Sequence, residues 1–234
     1  MKTKSSKGLS VTVCLLLATF AVAFWYNQQQ RLEDQEHAAK KVLDQLGAIT
    51  VLDGAQRHVA SLNLSTIKSR ADLEKALAVL ADLAWLESLD ASRTAIANDD
   101  LIIVGELSRL NSLALGTTAI DDFAISHLEN LSHLKSLNLA ETGISSAALA
   151  SIAHLKSLMI LDLSSTQVKA GLGPLAQLPR LEWLVLRNLD LNENALSALT
   201  NCPALHRLSL EESSYGETSL SDLLSSVDSL VVDK

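Results

Sequence analysis

Cysteine, histidine and paired acids are the residues from which a metal centre or a catalytic pair is built, and this chain spaces them for neither. It holds two cysteines and six histidines. Cys14 sits inside an uncharged apolar run, and no second cysteine or histidine stands at ligand spacing from Cys202, which reads as a small buried apolar residue. With one thiol outside that run there is no intrachain disulfide framework. His37, His58, His127, His133 and His154 occupy unrelated positions and read as solvated or corner residues. Asp99-Asp100 and Asp121-Asp122 fall where helices would begin and would favour the helix dipole there. No nucleophile elbow, phosphate loop, zinc-hydrolase helix or calcium loop is present, and Gly171-x-Gly173 runs into Pro174 without forming a dinucleotide fingerprint. The expectation is a protein that is no enzyme and needs no cofactor. The chemistry left is recognition. Its best candidates are Met159, Ile160, Trp183, Val185, Arg187, His206 and Arg207, an aliphatic and aromatic group rimmed by arginines with the composition of a binding hot spot.

Those candidates are placed by a repeat. Leu131-x-x-Leu134-x-x-Leu137-x-Leu139-x-x-Thr142-x-Ile144 returns 24 residues later as Leu155-x-x-Leu158-x-x-Leu161-x-Leu163-x-x-Thr166-x-Val168. The first leucine of the central pair recurs at Leu89, Leu113, Leu137, Leu161, Leu184, Leu208 and Leu230, with an earlier copy at Leu62. A period in this range with this spacing is the signature of leucine-rich repeats, whose units stack because none can bury its apolar face alone. Each L-x-L is a short strand with its leucines inward. The outward column before the first leucine then reads Ser88, Ser112, Ser136, Ile160, Trp183, Arg207, Ser229. The column between the leucines reads Asp90, Ala114, Asn138, Asp162, Val185, Ser209, Val231, and the column after them Ser92, Gly116, Ala140, Ser164, Arg187, Glu211, Asp233.

The returns between strands read as helices over 71–80, 99–107, 121–128, 146–153, 194–199 and 219–224. Asn98, Asp121 and Ser145 are candidate caps, and Ser69-x-x-Asp72 has a capping-box shape. Gly171, Gly173 and Pro174 predict a 3₁₀ turn or loop in the remaining return. A threonine column, Thr94, Thr118, Thr142 and Thr166, offers a hydroxyl to the backbone at each corner, and breaks at Leu189 and Ser213.

On these residues the chain resembles the membrane-anchored, exported leucine-rich repeat proteins of bacteria, of ribonuclease-inhibitor-like repeat type. The resemblance is carried by Leu46-Gly47, the 49–64 hairpin and the turns Thr94-x-Ile96, Thr118-x-Ile120, Thr142-x-Ile144 and Thr166-x-Val168, over about residues 38–234. It implies an α/β solenoid with parallel strands on a concave face and helices on a convex one. For function it implies protein recognition and nothing finer.

The domain organisation follows. Residues 1–7 are a cytosolic N-terminus and 8–26 a transmembrane signal anchor, uncharged, preceded by Lys2, Lys4 and Lys7 and ending at Trp25-Tyr26. Residues 27–47 form a helical stalk with Ala39, Val42, Leu43 and Leu46 on one stripe, 48–64 a hairpin cap and leading strand, and 65–234 about seven repeats. The expected location is the inner cell membrane, single-pass, with the repeats extracytoplasmic or periplasmic. Cleavage near Ala23, in Ala21-Val22-Ala23, is the alternative and would release a secreted form. Net charge is −8. Removing the three N-terminal lysines leaves 16 basic against 27 acidic residues, or −11, which opposes nucleic acid and anionic lipid as partners. The final strand, expected over 227–232 and flanked by Asp228, Asp233 and Lys234, has no cap after it and could support weak self-association. The expected function is a membrane-tethered exported module binding another protein through its concave face; the alternative is an envelope structural or assembly element without a dedicated ligand.

Overall fold

A three-residue strand has too few ladder hydrogen bonds to stand alone, so strands of this length persist only as members of a stack. The computed structural model describes residues 6–227 and 230–234, with side chains from residue 17 onward. Its nine strands form one sheet in chain order: β1 (Ile49–Leu52), β2 (Val59–Asn63), β3 (Ser88–Asp90), β4 (Ser112–Ala114), β5 (Ser136–Asn138), β6 (Ile160–Asp162), β7 (Trp183–Val185), β8 (Arg207–Ser209) and β9 (Val231–Asp233). β1 and β2 are the antiparallel hairpin, with an irregularity between Val51 and Leu52; every later pair is parallel. Leu89, Leu113, Leu137, Leu161, Leu184 and Leu208 stack in register and are each 1% exposed or less. Each leucine taken fully from water contributes about 1.5–3 kcal/mol, so this column and its partner two residues on form the spine.

The α-helical part of the middle convex returns is shorter than expected. After α2 (Arg70–Ala78) come α3 (Leu101–Val104), α4 (Asp122–Ile125) and α5 (Leu149–Ile152), each a single α turn joined to a 3₁₀ segment, at 98–100, 126–128 and 146–148 respectively. The glycine-proline return is 3₁₀ over Gly173–Gln177, as expected, and 195–201 is 3₁₀ as well. The first and last returns, α2 and α6 (Glu217–Ser226), are the full helices.

Two ladders turn each corner. Arg93, Thr117, Glu141, Ser165, Asn188 and Glu212 all have left-handed backbone, φ between 51° and 59°. This conformation aims the N–H at the next repeat: Arg93, Thr117, Glu141, Ser165 and Asn188 donate to the carbonyls of Gly116, Ala140, Ser164, Arg187 and Glu211, at 2.8–3.0 Å. None is glycine, so composition hides the ladder. In the next column Thr94, Thr118, Thr142 and Thr166 donate their hydroxyls to the carbonyl three residues back in their own turn, at 2.6–2.7 Å. Where leucine replaces threonine at 189, Ser213 of the following repeat donates to the orphaned Leu186 carbonyl and accepts from Leu189 N–H. The break in the column is repaired from the neighbouring turn.

Four expectations are corrected. Leu208 pairs with Val232 rather than Leu230, so β9 begins at Val231, the last spacing is 24 residues, and Val231 and Asp233 each move one column; Asp228 and Ser229 lie outside the described residues. Leu230-Val231-Val232 is apolar throughout and offers no alternation to set the phase. The expected anchor and stalk are one unbroken helix, α1 (Ser6–Gln45), in which Ala39 and Leu43 are buried against the cap. Asn98 caps nothing in its own repeat; its side chain bonds Asp121 of the next at 2.8 and 3.0 Å, while Asp121 and Ser145 cap as expected. His58 is no solvated histidine. It stacks on Trp85 with ring centroids 3.8 Å apart, and its Nδ1 lies 2.8 Å from Oε2 of Glu36, which is 4% exposed and also accepts Val59 N–H. These three side chains tie α1, the hairpin and the first repeat together.

Among the described residues no helix is long and apolar enough to cross a membrane. The side chains of residues 8–16, the first half of the expected span, lie outside the described set, as do residues 1–5.

Candidate protein-binding face

Parallel pairing carries each outward column across the whole sheet. The first runs Val51, Ser61, Ser88, Ser112, Ser136, Ile160, Trp183, Arg207, Val231. The second runs Ile49, Asn63, Asp90, Ala114, Asn138, Asp162, Val185, Ser209, Asp233. Along the first column four serines separate an apolar pole at the hairpin, where Ile49 and Val51 are about half exposed, from a second pole at Ile160 and Trp183.

At the second pole the expected residues do gather, and they bind one another first. Trp183 donates its indole N–H to Ser209 Oγ at 3.2 Å, and the guanidinium of Arg207 lies 4.4 Å over its ring. Arg207 Nε also meets Asp233 Oδ2 at 3.0 Å, and Arg187 pairs with Glu211. The Arg207 hydrogen bond holds the Asp233 carboxyl below its ordinary range. Ile160 is 36% exposed, Met159 and Trp183 are half-buried, and Arg187, His206 and Arg207 are exposed. Val185 is the correction: it lies on the outward column yet is 6% exposed, because its same-face neighbours on the strand, Trp183 and Arg187, are far larger. The surface this pole leaves open is Ile160 and part of Trp183, set among polar groups already in place.

The second column carries a turn that the sequence reading missed. Asn63, Asp90, Asn138 and Asp162 each accept, through Oδ1, the N–H two residues on, at 2.8–2.9 Å. Side chains of this type close such turns on their own backbone, which explains their recurrence at the strand ends. The recurring Asx at the L-x-L centre was a signal for it. Cys202 is 3% exposed and burial pushes its thiol up to about 11, consistent with a packing residue. Among the described residues no group of three or more histidine, cysteine or acidic side chains is placed to hold a metal ion.

Stacked parallel strands with leucines inward, corners closed by repeated hydroxyls and an open concave sheet define a leucine-rich repeat solenoid. No protein-family model and no curated protein sequence matches the chain. Solved structures do. An internalin (inlF) of Listeria monocytogenes matches at 26% identity and a TM-score of 0.60, covering 79% of this chain and 51% of that one. Internalin C2 of the same organism matches at 21% and 0.53, covering 74% and 80%, and a leucine-rich repeat protein of Leptospira interrogans at 18% and 0.53, covering 71% and 52%. The chain spans about half the length of the first of these. These likenesses agree with the leucine-rich repeat fold; they lend no support to the ribonuclease-inhibitor-like repeat type, as the short convex turns do not.

Proposed function

We propose that the chain is a membrane-tethered, exported recognition module that binds another protein through the concave face at Ile160 and Trp183. The observation that carries recognition is the state of that pole: its indole N–H and both arginines have partners, so what remains for a ligand is a fixed aliphatic and aromatic surface. Preorganised apolar anchors surrounded by satisfied polar groups are what give an interface its few strong contacts. Tethering is supported by α1. Leu17, Phe20, Val22, Phe24, Trp25 and Tyr26 are each 57–72% exposed, apolar side chains that a bilayer would cover. The ten residues after Tyr26, up to Glu36, continue the same helix for about 15 Å, a stiff rather than flexible link to the cap.

Two experiments test this. Photo-crosslinkers at Ile160 and at Ser112, introduced in the native cell, should capture a partner from the first site and not the second, and Trp183→Ala should abolish the capture. Equal capture from both sites overturns the concave pole as the contact. Protease applied to the outer side should leave only a short N-terminal fragment in the membrane; a mature protein beginning at Phe24 overturns the anchor and leaves export standing.

A further inference from the structure

Resting on that reading, we infer that the partner presents a basic, extended segment across the strands, its cationic side chains meeting Asp162 and Asp90. The reason is a charge that the fold does not use. The turn closed by Asp90 and Asp162 needs one acceptor oxygen, and Asn63 and Asn138 supply it at the same position with neutral amides. Asp90 spends Oδ1 on Ser92 N–H, and Asp162 spends Oδ1 on the N–H and hydroxyl of Ser164. Neither Oδ2 has a partner among the described residues. Both carboxylates are half-buried and held in orientation by their turns. Among the described residues of the strand columns, the other two acids, Glu211 and Asp233, are already paired with the two cations, Arg187 and Arg207. The surplus on the concave face is therefore negative. Residues flanking the strands add to it, with Glu87, Glu141, Glu182 and Glu212 against Arg93 and Lys135.

Spacing selects the shape of the partner. Asp90 on β3 and Asp162 on β6 are three strand spacings apart, about 14 Å. Four residues of an extended chain cover about the same distance and return their side chains to the same face. Ile160 lies beside this line rather than on it, one same-face step from Asp162 along β6, so the apolar pole borders the path of the segment. The pattern is a lysine or arginine with a second four positions beyond it, in either chain direction. Between the two carboxylates the column carries Ala114 and Asn138, whose amide is turned back onto Ala140 N–H, with Ser112 and Ser136 beside them.

Pools of fluorescent nine-residue peptides on a threonine and serine background test this against the full chain in neutral detergent. One pool carries the pattern in both directions, a second has glutamate at the two basic positions, and a third sets the basic residues three apart. The first should bind best. Its affinity should fall roughly tenfold in the Asp90→Asn/Asp162→Asn variant and weaken as salt rises from about 50 to about 300 mM. Asparagine keeps both turns, so that variant should fold as the parent does, checked by its unfolding midpoint. Binding of the glutamate pool, indifference to the double substitution, or no binding by any pool overturns the inference. A partner crosslinked at Ile160 whose capture ignores the double substitution also overturns it while leaving concave recognition intact; no capture at Ile160 overturns the reading beneath.

Discussion

From β3 to β6 the carbonyl just past each strand is met by the threonine of its own turn; after β7 the same carbonyl is met by a serine one repeat away. The outward surface divides one strand earlier in its first column, where Ile160 on β6 already belongs to the apolar pole. The early strands show serine, alanine, asparagine and two uncompensated aspartates, while the late ones show an indole and two arginines, each bonded across strands. One backbone path therefore supports two local economies. Early turns meet the carbonyl past the strand with their own hydroxyl, and the Oδ2 atoms of Asp90 and Asp162 have no partner among the described residues. Late turns depend on the next repeat, which rigidifies the apolar pole but ties its stability to the neighbour.

The spine should not respect this division. Leu137→Ala in the early half and Leu184→Ala in the late half should each cost roughly 2–5 kcal/mol in chemical denaturation, with Ser136→Ala within about half a kcal/mol. A small effect at Leu184 alone would mean the late strands are loosely stacked.

Cys202 tests the late half by pH. Its folded thiol ionises near about 11 against a reference of 9.0, so the folded state keeps its proton longer. Stability should be level below pH 9 and fall as pH rises from 9 through about 11, by a loss on the order of 2 kcal/mol. A thiol reagent at pH 7.5 should label it only on unfolding. Rapid labelling of the native protein would place the 202 corner in solvent.

The corner hydroxyls separate the halves directly. Ser213→Ala strands both the Leu186 carbonyl and the Leu189 N–H, and should cost about 1–3 kcal/mol, more than Thr142→Val, which strands one carbonyl for about 1 kcal/mol. Equal losses would erase the contrast. Within the early half, Asn138→Ala should cost about 1 kcal/mol through its lost turn bond, whereas Asp162→Asn should leave the unfolding midpoint unmoved. The smallest effect is expected at Arg187→Ala, whose exposed pair with Glu211 should contribute less than about 1 kcal/mol and vanish at high salt.

The strand columns, the hairpin, the threonine ladder and the gathering of Ile160, Trp183 and Arg207 were all legible in the residues, because each depends on a side chain recurring at a fixed local spacing. The solenoid class needed only that one face be apolar at every turn, a one-dimensional pattern. Tertiary structure decided the rest. The Glu36–His58–Trp85 tie joins residues 22 and 27 positions apart, with no motif to announce it. The left-handed ladder is made of arginine, threonine, glutamate, serine and asparagine, since its conformation is imposed by the hydrogen bond to the next repeat rather than by residue type. The register of β9 was ambiguous among three consecutive apolar residues until pairing with β8 selected Val232. Burial of Val185 and the mutual pairing of the arginines arise from side-chain size and reach between neighbouring strands. Periodicity sets which way a residue points; only packed neighbours set what it still has to offer once it points there.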